Sequence, residues 1–345
     1  MSALRFLLFP FSILYGIGIL IRNFFYSYGI IMPKKTGIAT ISVGNLSTGG
    51  TGKTPFTESL IIMLQQVCNI AVISRGYGRK TMGFQWVETD SPSWQVGDEI
   101  LQLKQKFPEI TMAVCERRIE AARMIEEGGM ANLIILDDAY QHREIHRNIN
   151  ILLTTFRKPY FRDFLLPMGD LREFRVGKVR ADVIVITKCP PGTSRKSLAR
   201  MIRKMRTRTD QLVTFAISSY GEPKDLITGQ PADVSPYKKL LLVTGIADSR
   251  DLREHLRTWN VEIEKLRYRD HAKYSADRVK NIVHKWSALN AKMPTCVITT
   301  PKDAVKIREH SETLGDCPVF TVDYKLELPE VNAFKRMVLP RVMEW

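Results

Sequence analysis

The sequence has few cysteines and no motif that would make them metal ligands or disulfide partners. The five cysteines are an odd number, are widely spaced and include no CxxC pair. A disulfide framework or a zinc module therefore does not fit, whereas a reducing compartment does. Low-complexity tracts and internal repeats are also lacking, and 44% hydrophobic with 25% charged residues is the composition of a folded globular chain.

Acidic residues are too few to balance the basic ones. Lys and Arg number 51 against 36 Asp and Glu, for a net charge of +15. Such an excess implies an acidic partner, either nucleic acid, an anionic membrane or a phosphorylated substrate. No zinc finger, recognition-helix pattern or aromatic RNA-binding motif accompanies the charge. We therefore expect no nucleic acid partner, since anionic lipid and ATP account for the charge without it.

Long apolar runs are absent apart from one at the N-terminus. Residues 6–21 carry no charged side chain, and aromatic residues follow at 24–28, a type that settles at membrane–water interfaces. The run is shorter than the ~20 residues that span a bilayer. A membrane-associated helix, a cleaved signal peptide and a buried core helix are the three alternatives. Because no small-residue cleavage site follows, we predict that residues 1–32 form a membrane-associated apolar helix.

The rest of the chain alternates short apolar segments with helical patterns. Strands are predicted at 37–43, 69–74, 133–136, 149–154 and 183–187, and helices at 55–67, 97–107 and 117–127. This alternation is typical of an α/β fold, a parallel sheet with helices on both faces. A second series of strands begins near residue 240, after a Gly- and Pro-rich stretch. We predict a P-loop kinase domain at 33–218 and a smaller α/β domain at 219–345 that closes over the site.

The strongest motif is a glycine-rich loop between the first predicted strand and the helix after it. Residues 44–54 read GNLSTGGTGKT and depart from the strict phosphate-loop pattern only at Ser47. Backbone N–H groups of such a loop surround a phosphate, its lysine reaches the β- and γ-phosphates, and its Thr binds Mg²⁺. The predicted ATP-binding residues are Gly49, Gly50, Thr51, Gly52, Lys53 and Thr54.

Two adjacent carboxylates follow an apolar strand. Asp137 and Asp138 come directly after the segment 133–136. Carboxylates at the carboxyl end of a buried strand, beside a phosphate loop, are placed to hold Mg²⁺ or its water shell. We predict both as metal ligands together with Thr54, with an ordinary Asp cap or turn as the alternative.

Further segments occur in a fixed order along nearly the whole chain. They are VGNLSTGGTGKTP (43–55), SRGYGR (74–79), VGDE (96–99), DDAYQHR (137–143), LLPMGDLRE (165–173), DH (270–271) and TTPKDAVK (299–306). Together they resemble the tetraacyldisaccharide 4′-kinase family, the lipid A kinases. The resemblance implies transfer of the γ-phosphate of ATP to the 4′-hydroxyl of a tetraacyldisaccharide 1-phosphate, with Mg²⁺ as cofactor and lipid IVA as product.

The resemblance also implies where the protein works. The partners would be a lipid A disaccharide precursor and the surface of the inner membrane, on its cytoplasmic face. We expect a peripheral or monotopic protein that acts as a monomer.

The resemblance assigns roles to residues that would otherwise attract little attention. Asp98 resembles the family's catalytic carboxylate, which would accept the proton of the sugar hydroxyl. His271 resembles the histidine that works with it, Lys53 is catalytic as well, and Glu99 would assist with the metal. Contacts to the substrate are expected from Arg75, Tyr77, Gln141 and Arg172. Without the resemblance, Asp98 and Glu99 would read as the acidic start of a helix.

Two other interpretations stay open at this point. The chain could be another membrane-associated P-loop ATPase, although such ATPases favour a lysine where Thr48 stands. The basic segment 195–208, with Leu198, Met201, Ile202 and Met205 at helical spacing, could lie on anionic lipid or form a solvated helix face over a core stripe.

Overall fold

Twelve strands form one mixed sheet in the structure, a computed structural model that describes residues 3–246, 248–269 and 272–345. The strands are β1 (Ala39–Asn45), β2 (Ile70–Ser74), β3 (Gln85–Trp86), β4 (Thr111–Val114), β5 (Leu133–Leu136), β6 (Ile149–Thr155), β7 (Val183–Cys189), β8 (Leu212–Asp225), β9 (Lys239–Thr244), β10 (Glu262–Arg267), β11 (Thr295–Thr299) and β12 (Val319–Glu327). The helices are α1 (Phe9–Ser27), α2 (Lys53–Leu64), α3 (Ser93–Val96), α4 (Asp98–Lys106), α5 (Arg118–Glu127), α6 (Arg195–Met205), α7 (Arg250–Arg257), α8 (Ala276–Asn290), α9 (Pro301–Arg308) and α10 (Val331–Met343).

The sheet is mostly parallel. Its strand order is β10-β9-β11-β12-β8-β7-β6-β1-β5-β2-β4-β3, and only the β3–β4 and β8–β12 pairs are antiparallel. Parallel neighbours need crossover connections, which the helices supply. The predicted α/β class is confirmed, and the five strands predicted before residue 190 correspond to β1, β2, β5, β6 and β7.

Helices cover both faces of the sheet. Along β2, Ile70 and Val72 join a core that also contains side chains of α2 and α10. The alternate residues Ala71 and Ile73 join the core beneath α5. This alternation follows from the two-residue period of a strand. Because both faces are buried, the strands read as continuous apolar runs rather than alternating ones.

The antiparallel pair β8–β12 joins the two halves of the sheet. Gly and Pro residues between 216 and 236 predicted an irregular connection there, but β8 continues through Gly221 and Pro223 to Asp225. Pairing with β12 overrides the local signal, and the register shifts between Val322 and Tyr324, as at a β-bulge. The predicted boundary at 218/219 lies inside β8, and α10 packs in the first core. The division into 1–32, 33–218 and 219–345 stays a prediction.

The apolar N-terminal segment forms a surface helix. Residues Arg5–Ser27 are the one helix in the described ranges that is long and apolar enough to cross a membrane. Its side chains are mostly exposed, Leu14 to 67%, so the alternative of a buried core helix does not fit. Ser12 and Gly16 form the buried face. The Ser12 hydroxyl donates to the Leu165 carbonyl (3.2 Å), and a Cβ on Gly16 would stand 2.8 Å from the Phe174 ring.

Candidate active site

The phosphate loop connects the carboxyl end of β1 to the first residue of α2, Lys53. Gly49 and Gly52 have φ of 97° and 87°, a conformation that glycine adopts without steric cost. The chain can therefore curl so that several backbone N–H groups face one side. The N-terminus of α2 adds partial positive charge at the same place. The predicted loop is thus present between the predicted strand and helix.

Side chains from β1 and β7, the strands on either side of β6, fix Thr51 at the centre of the loop. The Asn45 amide at the end of β1 donates to the Thr51 hydroxyl (2.7 Å). The Thr187 hydroxyl of β7 donates to the Thr51 carbonyl (2.7 Å). All three residues are buried, so the loop is held in place before any ligand arrives.

Asp138 is the centre of a charged cluster beside the loop. The Arg172 guanidinium donates to both of its carboxylate oxygens (2.9 and 3.1 Å), and Lys53 Nζ lies 3.7 Å from Oδ1. Burial alone would raise the pKa of this carboxyl, but the positive charges of Lys53 and Arg172 hold that pKa below its ordinary value. Asp138 is therefore ionised and tied to the phosphate-binding lysine.

Asp137 lies deeper than its neighbour. Its carboxylate accepts a hydrogen bond from the Thr57 hydroxyl of α2 (3.3 Å). Burial raises its pKa to about 7, and the nearby carboxylates of Glu99 and Asp138 act in the same direction. A divalent cation beside these carboxylates would relieve that repulsion.

The predicted Mg²⁺ ligands lie in one region. The Thr54 hydroxyl donates to Glu99 Oε2 (3.3 Å), and Glu99 and Asp138 both line the cavity over the loop. Oxygen donors of this kind fit Mg²⁺, which is bound by one or two carboxylates with phosphate and water completing its shell. Within the described ranges no group of three or more His, Cys, Asp or Glu side chains could hold a metal by itself, so phosphate oxygens would have to contribute.

The second half of the sheet supplies lysines to the acidic pair at the start of α4. Asp98, only 5% exposed, follows Gly97, whose φ is 98°. Lys306 Nζ of α9 lies 2.7 Å from Asp98 Oδ2, and Lys302 Nζ of the same helix lies 3.1 Å from Glu99 Oε1. Asp98 is therefore buried next to Glu99, which lines the cavity over the loop, but is not itself one of the lining residues.

The sequence interpretation gave Lys302 and Lys306 no role, although it quoted the segment that contains them. They stand four residues apart on one helix, which places both on the same face. The segment begins at Thr299, the last residue of β11, and Thr300 is the N-cap of α9. The four-residue spacing of the two lysines was therefore visible in the sequence. Their partners, Asp98 and Glu99, were not evident, because they lie some two hundred residues earlier in the chain.

His271 falls outside the described residues, so its predicted action on Asp98 stays a prediction. The next residue in the chain is close to the pair: the Ala272 carbonyl accepts a hydrogen bond from Lys306 Nζ (3.2 Å).

A cavity of about 690 Å³ opens between the loop and the second half, a size within the range of small-molecule sites. Among the predicted contacts to the substrate, Tyr77 and Arg172 line it. Arg75 and Gln141 are described but are not among its lining residues. Arg75 is exposed, and the Gln141 amide donates to the Asn45 carbonyl (2.8 Å) and to Glu173 (2.8 Å).

Lys188 is a cationic residue of the cavity wall that the sequence interpretation did not single out. It follows Thr187 in β7 and has φ of 54°, a left-handed conformation that costs a non-glycine residue energy. A Cβ on Gly50 would lie 3.9 Å from its Nζ. Burial lowers the pKa of Lys188, while Asp251 and Asp248 of the opposite wall raise it. A strained, partly buried cation beside a phosphate loop suits an anionic ligand.

The apolar helix α1 is joined to the charged cluster. The Tyr15 hydroxyl donates to the Arg172 carbonyl (2.8 Å), and the Arg5 guanidinium donates to Asp170 (3.1 Å). The residue that binds Asp138 is thus fixed from its backbone side by α1.

Comparisons with known proteins agree with one another. The sequence model of the family described as Tetraacyldisaccharide-1-P 4′-kinase matches residues 4–343. A protein of Phocaeicola vulgatus named tetraacyldisaccharide 4′-kinase is 39% identical over 310 residues, covering 88% of this chain and 84% of the relative. One of Flavobacterium johnsoniae with the same name is 37% identical, covering 90% and 89%. The crystal structure of the "apo" form of LpxK from Aquifex aeolicus in complex with ATP aligns with a TM-score of 0.76 and 26% identity, covering 98% of this chain and 99% of that one.

Proposed function

The chain belongs to the tetraacyldisaccharide-1-phosphate 4′-kinase family, and we propose that it transfers the γ-phosphate of ATP to the 4′-hydroxyl of a tetraacyldisaccharide 1-phosphate. Family membership makes it a phosphotransferase of lipid A biosynthesis. The observation that carries the assignment to this chain's own residues is the arrangement around one cavity. The phosphate loop lines the cavity, the Asp98–Lys306 pair adjoins its lining residue Glu99, and α1 is hydrogen-bonded to its lining residue Arg172.

ATP is proposed to lie with its triphosphate on the loop. Backbone N–H groups of Gly49 to Thr54 and the Lys53 ammonium would neutralise the phosphates. The resolved relative in complex with ATP supports this placement. Thr54, Glu99, Asp137 and Asp138 are the residues that would hold Mg²⁺, which would supply charge neutralisation to the transferring phosphoryl group.

Asp98 is proposed to accept the proton of the sugar hydroxyl. It is buried next to Glu99, which lines the cavity, so a hydroxyl could approach from the cavity side. The Lys306 ammonium at 2.7 Å would balance the carboxylate charge and fix the direction of the side chain. A positioned base of this kind contributes about 10²–10⁴ in rate.

The acceptor is proposed to be a lipid because of α1. Its exposed apolar side chains suit acyl chains or the outer part of a bilayer, while Tyr15 connects it to Arg172 and thus to Asp138. We propose that α1 holds the protein, as a monomer, on the cytoplasmic face of the inner membrane. ATP is available there, and the sugar headgroup of a membrane-held substrate would reach the cavity.

The test is a transfer assay on the purified full chain. Detergent-dispersed tetraacyldisaccharide 1-phosphate is incubated with Mg²⁺ and ATP labelled at the γ-phosphate, and labelled lipid is measured. The wild type should transfer label, Asp98→Asn should lose about 10²–10⁴ in kcat while keeping ATP affinity, and the exposed Asp316→Asn should behave as the wild type.

The alternatives give different results. A folded wild type that hydrolyses ATP but never labels the lipid would point to another membrane-associated P-loop ATPase. An unchanged kcat for Asp98→Asn would leave the kinase function in place but would show that Asp98 is not the catalytic base.

A further inference from the structure

We propose that the basic face of α6 is a second contact with an anionic phospholipid bilayer, beside the contact made by α1. The proposal rests on the proposed membrane location and adds to it a surface of defined charge, about one hundred and seventy residues further along the chain. We call this surface the α6 face; its members are Arg195, Lys196, Arg200, Arg203, Lys204 and Arg206.

All six members of the α6 face are exposed. No acidic residue occurs from 195 to 209, and within the described ranges no carboxylate lies at ion-pair distance from any of the six. Arg208, just beyond them, is paired with Asp210 (2.8 Å). Six cations without ion-pair partners on one short helix repel one another and do not stabilise the fold. An external anion is therefore the expected partner.

The apolar stripe of α6 is buried in the protein. Leu198, Met201 and Met205 belong to the same core as Leu152 and Ile184 of the sheet. The large apolar side chains of this helix pack inside the protein, Ile202 partly so, and the α6 face would therefore bind at the headgroup level by charge. Of the two interpretations of segment 195–208, the core stripe is therefore confirmed, and the lipid contact we propose is electrostatic.

Hydrogen bonds and packing connect α6 to α1 through the short segment 174–180. Phe174, at one end, packs on Gly16 of α1. Lys178 donates to the backbone carbonyl of Met205 at the end of α6, and Arg208 donates to the Val179 carbonyl (2.5 Å). The two helices are therefore held to the same part of the protein.

The segment between the helices exposes apolar side chains of its own. Val176 is 62% exposed and Val179 39%. Phe164, outside the segment, is 42% exposed, and the Arg175 guanidinium lies 5.6 Å from its ring centre. A row of apolar residues flanked by cations is the composition of a membrane-surface contact. The α6 face thus extends an apolar and basic surface that begins at α1.

The number of cations in contact with the bilayer determines the expected loss of membrane affinity. Each Lys or Arg near an anionic leaflet strengthens binding by about fivefold at moderate salt, and the effect weakens as salt rises. Neutralising three members of the α6 face should therefore weaken binding by about 100-fold.

The experiment measures vesicle binding of the full chain. The triple variant Arg200→Gln, Arg203→Gln, Lys204→Gln is compared with a control of equal charge change, Arg257→Gln, Lys280→Gln, Lys292→Gln, whose three residues are exposed on or beside α7 and α8. Vesicles of phosphatidylcholine alone and of phosphatidylcholine with phosphatidylglycerol are titrated at low and high salt. The α6 variant should lose about 100-fold on the anionic vesicles only, whereas the control should lose little.

Other outcomes overturn the proposal. Equal losses in both variants would indicate a general charge effect, and an equal loss on neutral vesicles would indicate damage to α1. Wild-type binding to a single-stranded RNA that exceeds binding to anionic vesicles, and is lost in the α6 variant, would assign the face to nucleic acid. Kinase activity in detergent should stay unchanged in both variants, so failure of this proposal is distinguishable from failure of the proposed function.

Discussion

Lys306 Nζ of α9 lies 2.7 Å from Oδ2 of Asp98 at the start of α4. Both side chains are nearly buried, 12% and 5% exposed, so water screens the pair little. The contact links the two halves of the sheet at the point where we place proton transfer. Losing the lysine would leave a buried carboxylate without this compensating charge.

Lys306→Ala should destabilise the protein and slow the reaction together. Removing one partner of a buried ion pair costs about 3–5 kcal/mol in the free energy of unfolding. Urea unfolding and kcat measure the two effects. Lys285→Ala is the matched control, because its pair with Glu264 (3.0 Å) is 32% and 42% exposed and is worth about 0–1 kcal/mol. Equal effects of the two variants would show that the Lys306 pair is not special.

Lys188→Ala should weaken ATP binding more than it affects folding. A charge-assisted hydrogen bond lost from a site is worth about 1.5–3 kcal/mol, or roughly 10–100-fold in Kd. Stability should change little, because the substitution removes a partly buried charge, while the left-handed backbone conformation costs alanine about as much as lysine. Calorimetric titration with ATP measures the effect. Lys224→Ala is the control, since it also lines the cavity but is paired with Asp323 (2.9 Å). An unchanged Kd for Lys188→Ala would assign this lysine another role.

Thr54→Val should raise the Mg²⁺ concentration needed for half-maximal activity by about tenfold or more, the usual loss when a group in or around a metal site is removed. The substitution keeps the shape of the side chain and removes the hydroxyl that donates to Glu99. Activity is measured across Mg²⁺ concentrations at saturating ATP. Ser59→Ala, which removes another hydroxyl of α2 that donates to the Leu326 carbonyl (2.7 Å), should leave the Mg²⁺ requirement unchanged. The same requirement in Thr54→Val and the wild type would remove Thr54 from the metal site.

His142 should make the protein less stable in mild acid. Burial, with the positive charge of Arg118, lowers the pKa of His142 to about 4. Between about pH 4 and 6.5 the His142 imidazole is therefore protonated in the unfolded chain but neutral in the folded one, so its contribution to the free energy of unfolding falls as the pH falls through this window. The raised pKa of Asp137 acts in the opposite direction, but it is common to all variants compared. Urea unfolding from pH 4.5 to 7.5 measures the slope. His142→Asn should flatten it, whereas the exposed His284→Asn should not; identical slopes in all three would contradict the assignment.

Much of the fold was predictable because its signals are local. Apolar runs gave β1, β2, β5, β6 and β7, which are buried on both faces. The strands β3, β4, β8 and β10 were not predicted. β10 is at the sheet edge and half exposed, so its sequence carries alternating charges, and β8 contains Gly221 and Pro223, which locally indicate a turn. The pairing of β8 with β12 is a long-range contact, which no local sequence pattern predicts.

The sequence by itself determined the phosphate loop, the Asp137–Asp138 pair and the apolar α1 segment, because glycine spacing, carboxylates after a strand and a charge-free run are properties of neighbouring residues. Only the tertiary structure decided which distant groups meet. It placed Lys306 on Asp98 and Arg172 on Asp138, left Gln141 bonded to Asn45 and Glu173, and turned the apolar side chains of α1 outward. These outcomes depend on the strand order of the sheet, because that order decides which residues distant in the chain lie close together in space. No single segment of the sequence determines the strand order.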